Sequence, residues 1–264
     1  MRHLELFAGI GGFRRAMDLL TQDHIMDFHC IGYSEIDAKA VKTYCANYHP
    51  EVDGELAMGD IVEFTSNKDN IDNLPQFDLV TGGFPCQTFS MMGKQAGFNE
   101  DRGQMFFHII DILAAKMPRY VLLENVKNLK SHDKGRTFAR IKQELEALGY
   151  QVFTDIFNTA QFHLPQTRNR LLIFATTEPV PADFEVQFTC DNIAGLFDQV
   201  YQDLGTYHYQ SVNDILSLDV DQKYFLSERI KPTLLADGSA NFKSKSDINM
   251  SIARPLTATM HKMH

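Results

Sequence analysis

Residues 78–90 read Asp-Leu-Val-Thr-Gly-Gly-Phe-Pro-Cys-Gln-Thr-Phe-Ser, and within them Cys86 has the setting of a nucleophile. A thiolate attacks electron-poor carbon efficiently only when the chain holds it still and presents it. The apolar run at 78–81 predicts a short buried strand, Gly82 and Gly83 free the backbone to turn, and Pro85 restricts the chain just ahead of the thiol. Cys30, Cys45 and Cys190 follow no such turn, and no cysteine pair has the spacing of a zinc knuckle or a redox dithiol, so no metal site is expected. Taken alone, a cysteine after a strand is equally a small buried hydrophobe, and only partners elsewhere in the chain separate the two readings. Four unpatterned cysteines without a leader peptide predict a reducing, cytoplasmic setting.

A second chemical group lies at the amino end. Residues 3–6 predict a strand, Phe7-Ala8-Gly9-Ile10-Gly11-Gly12 follows directly, and Phe13, Ala16, Met17, Leu19 and Leu20 then repeat as one face of a helix. Glycines between a strand and a helix let backbone amides and the positive helix end approach a ligand, although many such turns bind nothing. The strand at 28–33 ends in Ser34-Glu35-Ile36-Asp37. A carboxylate at the end of the second strand of a doubly wound sheet is placed for ribose hydroxyls, or it serves only to start the next helix. Met58-Gly59-Asp60-Ile61 marks a third strand end, with a carboxylate for an adenine amino group and an isoleucine to cover the ring. Three strand ends converge on one adenosine-like ligand.

Beyond Cys86, a polar loop at 97–103 precedes a helix from Gln104 to about Lys116, stopped by Pro118. The apolar strand at 120–123 delivers Glu124-Asn125-Val126, and Glu124 is there a proton donor or a loop cap. A helix at about 137–148 ends at Gly149, and strands at 150–157 and 171–176 flank the polar run at 161–170. From Thr177 the character changes, with a proline-rich linker at 178–182, a helical pattern at 193–204 and polar turns. The 264 residues, 44% hydrophobic, suffice for a core domain of roughly 170–180 residues and a smaller lobe. No window is apolar enough to span a bilayer. A net charge of −9 argues against a protein that coats nucleic acid, yet Lys127, Lys130, Lys134, Arg136 and Arg140 cluster, with Arg168 and Arg170 later. The first group fits a solvated helix face as well as phosphate contact.

The runs Phe7-Ala8-Gly9-Ile10-Gly11-Gly12, Glu35, Asp60-Ile61, Gly83-Phe84-Pro85-Cys86-Gln87, Asp101-Arg102-Gly103, Glu124-Asn125-Val126 and Gln166-Thr167-Arg168-Asn169-Arg170 resemble, in order and spacing, the motifs of DNA (cytosine-5) methyltransferases of the bacterial and phage modification type. The likeness covers about residues 3–176. It implies an α/β fold, a doubly wound, mostly parallel seven-stranded sheet. It also implies a catalytic S-adenosylmethionine (SAM)-binding domain over 1–177 and part of a target-recognition domain over 178–264. The implied cofactor is SAM, released as S-adenosylhomocysteine, and the implied partner is double-stranded DNA. By resemblance, Cys86 adds as thiolate to carbon 6 of cytosine, Glu124 bonds or protonates the ring nitrogen at position 3, and Arg168 holds the base edge. Phe7, Gly9, Ile10, Gly12, Glu35, Ile36, Asp60, Ile61, Gly83, Pro85 and Met105 surround SAM, while Asn125 and Arg170 brace the site.

Attack on the ring face requires the base to leave the duplex, so residues 88–102 are expected as a lid, with Ser90, Lys94 and Gln95 at the DNA and Gly93 and Gly97 as hinges. Lys243, Lys245, Arg254, Thr257, Thr259, His261 and Lys262 are expected DNA contacts. The sequence stops at His264 without the closing motifs of such enzymes, which predicts a missing C-terminal segment or a complementary subunit, and weak activity alone. Two alternatives share much of this pattern: a tRNA cytosine-5 methyltransferase, and a non-catalytic SAM- or DNA-binding subunit of a split enzyme. The latter has no need of Cys86, Glu124 and Arg168 together. A nicotinamide-dependent dehydrogenase leaves Asp60 and Cys86 without a role.

Overall fold

The computed structural model of the chain describes residues 1–85, 105–204, 209, 211–225, 227–229, 232 and 250–255. Its seven strands, β1 (Arg2–Leu6), β2 (His29–Ser34), β3 (Leu56–Ala57), β4 (Leu79–Gly83), β5 (Tyr120–Val126), β6 (Gln151–Asn158) and β7 (Asn169–Thr176), form one sheet in the order β3-β2-β1-β4-β5-β7-β6. Pairs β1/β2, β2/β3, β1/β4 and β4/β5 are parallel, and β7 enters antiparallel to β5. The expected doubly wound, mostly parallel sheet is therefore the one observed. The chain steps outward from β1 to β3, then returns to place β4 on the other side of β1. That reversal opens a crevice beyond the carboxyl ends of β1 and β4, where open α/β sheets hold their ligands.

The helices are α1 (Gly12–Gln22), α2 (Ala38–Tyr48), α3 (Pro50–Asp53), α4 (Ile61–Ser66), α5 (Lys68–Asn73), α6 (Met105–Lys116), α7 (Arg136–Ala147), α8 (Phe184–Gln187) and α9 (Cys190–Leu204). Asp37 starts α2 by accepting from the Lys39 and Ala40 amides, and Asp60 starts α4 by accepting from Val62. α6 buries Phe106, Ile109, Ile112 and Leu113 completely, in one core with Leu4, Leu6, Val80 and Leu123 of the sheet.

Period-two alternation divides β1 between two environments. Leu4 and Leu6 enter that core, whereas His3 and Glu5 are buried on the opposite side. There His3 Nε2 lies 2.7 Å from Thr81 Oγ1, and burial pushes the imidazole down to about 3. Arg14 of α1 supplies the cation of this polar layer. Its guanidinium bonds Asp18 at 2.8 Å, contacts Glu55 and lies 5.1 Å from the Tyr48 ring centre, while the Tyr44 hydroxyl donates to Glu55 at 3.2 Å.

Two segments differ from the sequence reading. β5 continues through Val126, because β7 pairs with it along its whole length, from Tyr120 opposite Thr176 to Val126 opposite Arg170. Glu124 and Asn125 are thus strand residues held by a ladder. The second difference follows β7. Phe184 packs edge-on against Phe153 at 4.7 Å, Phe188 stacks on Phe174 at 5.6 Å, and the Cys190 amide donates to Asp155 at 2.7 Å. Contacts divide the chain into one unit of Met1–Phe157 with Asn169–Ile193 and another of Asn158–Arg168 with Ala194–His264. Residues 178–193, expected in the second domain, therefore pack within the first unit through their phenylalanines, and Asn158–Arg168 belongs to the second. In that second unit the Thr159 amide donates to the Arg168 carbonyl at 3.2 Å, Gln166 bridges Ala253, and Phe162 packs against Phe197 at 5.4 Å.

Candidate functional site

At the end of β1 the backbone turns through left-handed conformations at Phe7, Gly9 and Gly11, with φ of 54°, 57° and 87°. A non-glycine residue there is strained, and such strain concentrates at ligand sites. Gly11 has a steric reason for its identity, since a Cβ would stand 2.2 Å from the Tyr48 ring, whose hydroxyl donates to the Gly11 carbonyl at 2.8 Å. Glu35 ties the turn to β2. Its Oε2 accepts from the Gly9 amide, and Oε1 from the Ile36 and Asp37 amides, each at 2.8 Å. The Ser34 hydroxyl reaches the Gly59 carbonyl at 2.9 Å, so the third strand end joins the same edge.

Of the residues expected around SAM, this edge gathers Phe7, Gly9, Ile10, Gly12, Glu35, Ile36 and Asp60. Ile10 and Ile36 are 62% and 73% exposed, which leaves two apolar side chains at this edge available to a ligand. Cβ positions at Gly9 and Gly12 point into open space, which leaves room beside the amides. Asp60 spends Oδ1 on the Val62 amide and keeps Oδ2 without a partner among the described residues. Glu35, with both oxygens engaged, still has further lone pairs for hydroxyls. Ile61 is only 2% exposed and faces the main core. Met105, at the start of α6, packs against that core. A cavity of about 490 Å³ lined by Ile10, Gly11, Gly12, Arg15, Asn47 and Tyr48 adjoins the turn but includes neither Glu35 nor Asp60. This donor set suits an adenosine carrying a ribose diol, so the residues present fit SAM. Among the described residues no cluster of His, Cys, Asp or Glu is arranged to hold a metal ion, and no helix is long and apolar enough to cross a membrane.

Next to this edge, β4 and β5 bring two further parts together. A Cβ on Gly83 would lie 3.2 Å from Glu124 Oε2, so the glycine leaves room for that carboxylate against the β4 backbone, and a larger residue would shift it by a few tenths of an ångström. Asn125 is buried and donates from Nδ2 to the Phe84 carbonyl at 2.8 Å, which fastens the chain entering Pro85. Glu124 Oε1 lies 2.5 Å from Nε of Arg170. The ladder explains the choice of arginine: Glu124 stands opposite Leu172, and Arg170 is the diagonal neighbour two residues away on the same face. Arg168 lies beyond the strand in the other unit, exposed, with its amide bonded to Thr159 Oγ1 at 3.1 Å. The ion partner of Glu124 is therefore Arg170, expected only as a brace, and the signal for it was the two-residue alternation across β5 and β7.

Burial also singles out Glu5, which the motif pattern passed over. Its Oε1 accepts from the Phe13 amide at the start of α1 at 3.2 Å, its Oε2 has no partner, and burial pushes the carboxyl up to about 7. Cys86, the lid at 88–102 and the DNA contacts expected at Lys243, Lys245, Thr257, Thr259, His261 and Lys262 lie outside the described residues.

Residues 1–262 match the family described as C-5 cytosine-specific DNA methylase. The type II methyltransferase M1.ScrFI of Lactococcus lactis subsp. cremoris is 39% identical over 227 residues, which cover 86% of this chain and 51% of the relative. The type II methyltransferase M.NlaX of Neisseria lactamica is 37% identical over 227 residues, covering 86% and 63%. The chain spans about half the length of the curated relatives it matches. In fold it is similar to the S. pombe Dnmt2 methyltransferase, with a TM-score of 0.62 at 21% identity over 88% of this chain and 64% of that one.

Proposed function

Because this chain belongs to the C-5 cytosine-specific DNA methylase family, we propose that it transfers a methyl group from SAM to carbon 5 of a cytosine flipped out of duplex DNA. The observation that carries the reading is the Glu124–Arg170 pair resting against the Gly83 backbone, beside the glycine turn and one short step before Cys86. Bound SAM supplies an electrophilic methyl group. Phe7, Gly9, Gly12, Glu35, Ile36 and the free oxygen of Asp60 hold it, with Ile10 alongside, Ile61 and Met105 forming the apolar floor, and Gly83 and Pro85 on the side of the base.

The chain's own residues make carbon 5 reactive. The Cys86 thiolate forms a bond to carbon 6, the electrons of the 5,6 double bond move to carbon 5, and carbon 5 would take the methyl group, the broken bond's pair staying on sulfur as S-adenosylhomocysteine leaves. Glu124 holds a proton at ring nitrogen 3, so that the ring accepts negative charge as sulfur adds. Arg170 fixes the direction of that carboxyl and balances its charge. A solvent water takes the carbon 5 proton, its bonding pair re-forms the 5,6 double bond, and the thiolate leaves carbon 6 with the carbon–sulfur pair. Duplex DNA is the partner, and extrusion of the base costs roughly a few kcal/mol.

The test is covalent trapping on a random-sequence duplex library in which 5-fluorocytosine replaces cytosine, with SAM, read by denaturing gel and mass. Fluorine at carbon 5 does not leave as a proton does, so the protein stays attached to its DNA. The adduct is expected with the natural chain and absent from Cys86→Ser. Arg170→Ala is expected to slow its formation roughly 100-fold, as removal of one preorganised donor does, and Arg168→Ala much less. An adduct that survives Cys86→Ser, or that forms on structured RNA and never on DNA, sinks the reading.

A further inference from the structure

The basic cluster seen in the sequence is sorted by the structure into two kinds of cation. From Val126 to Arg140 the chain carries Lys127, Lys130, Lys134, Arg136 and Arg140 against a single acid, Asp133, within a chain of net charge −9. Arg136 Nη2 is 2.5 Å from Asp133 Oδ1, and Arg140 Nε is 2.5 Å from Glu144 Oε1 with its guanidinium 5.8 Å from the Phe107 ring centre. Both arginines are engaged, Arg136 with Asp133 and Arg140 with Glu144. Lys127, Lys130 and Lys134 are exposed and form no ion pair within 4 Å among the described residues, although Lys134 adjoins Asp133 and acts on its charge. What remains is an unbalanced positive surface.

That surface is built, not frayed. Lys127–Lys130 is a 3-10 turn, anchored by the fully buried Leu129 and closed by the Ser131 amide on the Asn128 carbonyl at 3.2 Å, and His132–Gly135 is a second turn, kinked at its centre. His132 Nδ1 lies 2.6 Å from Thr137 Oγ1, which fastens the second turn to α7. Asp133 and Lys134 are consecutive left-handed residues, with φ of 49° and 58°. L side chains avoid that conformation, and chains retain it where it serves a purpose. Its location supplies one. Lys127 directly follows β5, three residues after Glu124, at the sheet edge where Glu124 meets Gly83.

We propose that these two turns form a docking surface for the phosphate backbone of duplex DNA, contacted by Lys127, Lys130 and Lys134. This rests on the DNA-directed reading above and adds where the duplex is held. A duplex that delivers a base to the edge of β5 must run its backbone across the turns that leave it. Three ammonium groups there neutralise phosphates and release counterions, without reading sequence.

The test is fluorescence anisotropy with several unrelated 30-base-pair duplexes from about 50 to 300 mM salt. Each phosphate contact contributes about −0.9 to the slope of log K against log salt, so K127Q/K130Q/K134Q is expected to flatten the slope by about 2–3 on every sequence. A control of equal charge change, K39Q/K42Q/K68Q on α2 and α5, is expected to keep the natural slope. SAM binding and unfolding temperature of the K127Q/K130Q/K134Q variant should match the natural chain. A slope in that variant equal to the natural chain's, or to the control's, overturns the proposed surface alone. Failure of the natural chain to bind any duplex at low salt overturns the DNA-directed reading with it.

Discussion

At the scale of single residues, Glu5 shows how a side chain outside the motif pattern bears on the site. It is 1% exposed, tied by one oxygen to the first turn of α1, and burial holds its carboxyl at about 7 instead of 4.5. The fold therefore binds a proton more tightly than the unfolded chain does. Its contribution to stability is full below about pH 4.5 and is lost as pH rises through about 7, a change of roughly 3 kcal/mol for a shift of that size. Arg14 on α1 and Glu55 before β3 face the same carboxyl with opposite effects. Glu5→Gln keeps the acceptor for the Phe13 amide and removes the titration. Urea unfolding should show this variant gaining stability relative to the natural chain between pH 5 and pH 8, and a difference independent of pH would refute the assignment. His3, held down at about 3, acts in the other direction: its contribution is present above about pH 6.5 and is lost as pH falls toward 3. The place of Glu124 at the end of β5 was legible from the apolar run before it. The pairing of Glu124 with Arg170 was not, because spacing along one strand does not say which of two nearby arginines lies diagonal to a residue on its neighbour.

Among elements, the turn between β1 and α1 is the most constrained. Gly11→Ala places a methyl group at φ of 87° and 2.2 Å from the Tyr48 ring, so it should destabilise by about 1–2 kcal/mol from the backbone alone, with more from the displaced ring. Thermal unfolding of Gly11→Ala, Tyr48→Ala and the double variant forms a cycle that separates the two effects. The double variant should lose less than the sum of the single losses; strict additivity would mean that the ring yields freely. The turn, α1 and the strands were readable because glycine runs and period-two or period-3.6 patterns are local signals. The reach of β5 was not local, since the antiparallel partner β7 extends it past the apolar run. The placement of residues 183–193 was not local either: Phe184 and Phe188 find their partners on β6 and β7, which no pattern within the segment announces.

For the whole molecule, a cofactor bound by the folded chain and not by the unfolded one must raise its stability by mass action. At 100 times the dissociation constant the gain is about 2.7 kcal/mol, or roughly 5–10 °C in unfolding temperature. SAM and S-adenosylhomocysteine should both produce such a shift by calorimetry, and Glu35→Ala should diminish it; equal shifts with and without Glu35 would place the adenosine elsewhere. By itself the sequence determined the α/β class, the glycine turn, the acidic ends of the second and third strands, and the glutamate at the end of the fifth, because each is written in contiguous residues. Tertiary structure alone decided that Arg170 holds Glu124, that Ile61 turns into the core while Ile10 and Ile36 stay exposed, and that Arg136 and Arg140 are paired while three lysines form no ion pair among the described residues. These depend on strand register, helix facing and the distance between charges. Such quantities exist only once residues far apart in the chain have been brought together.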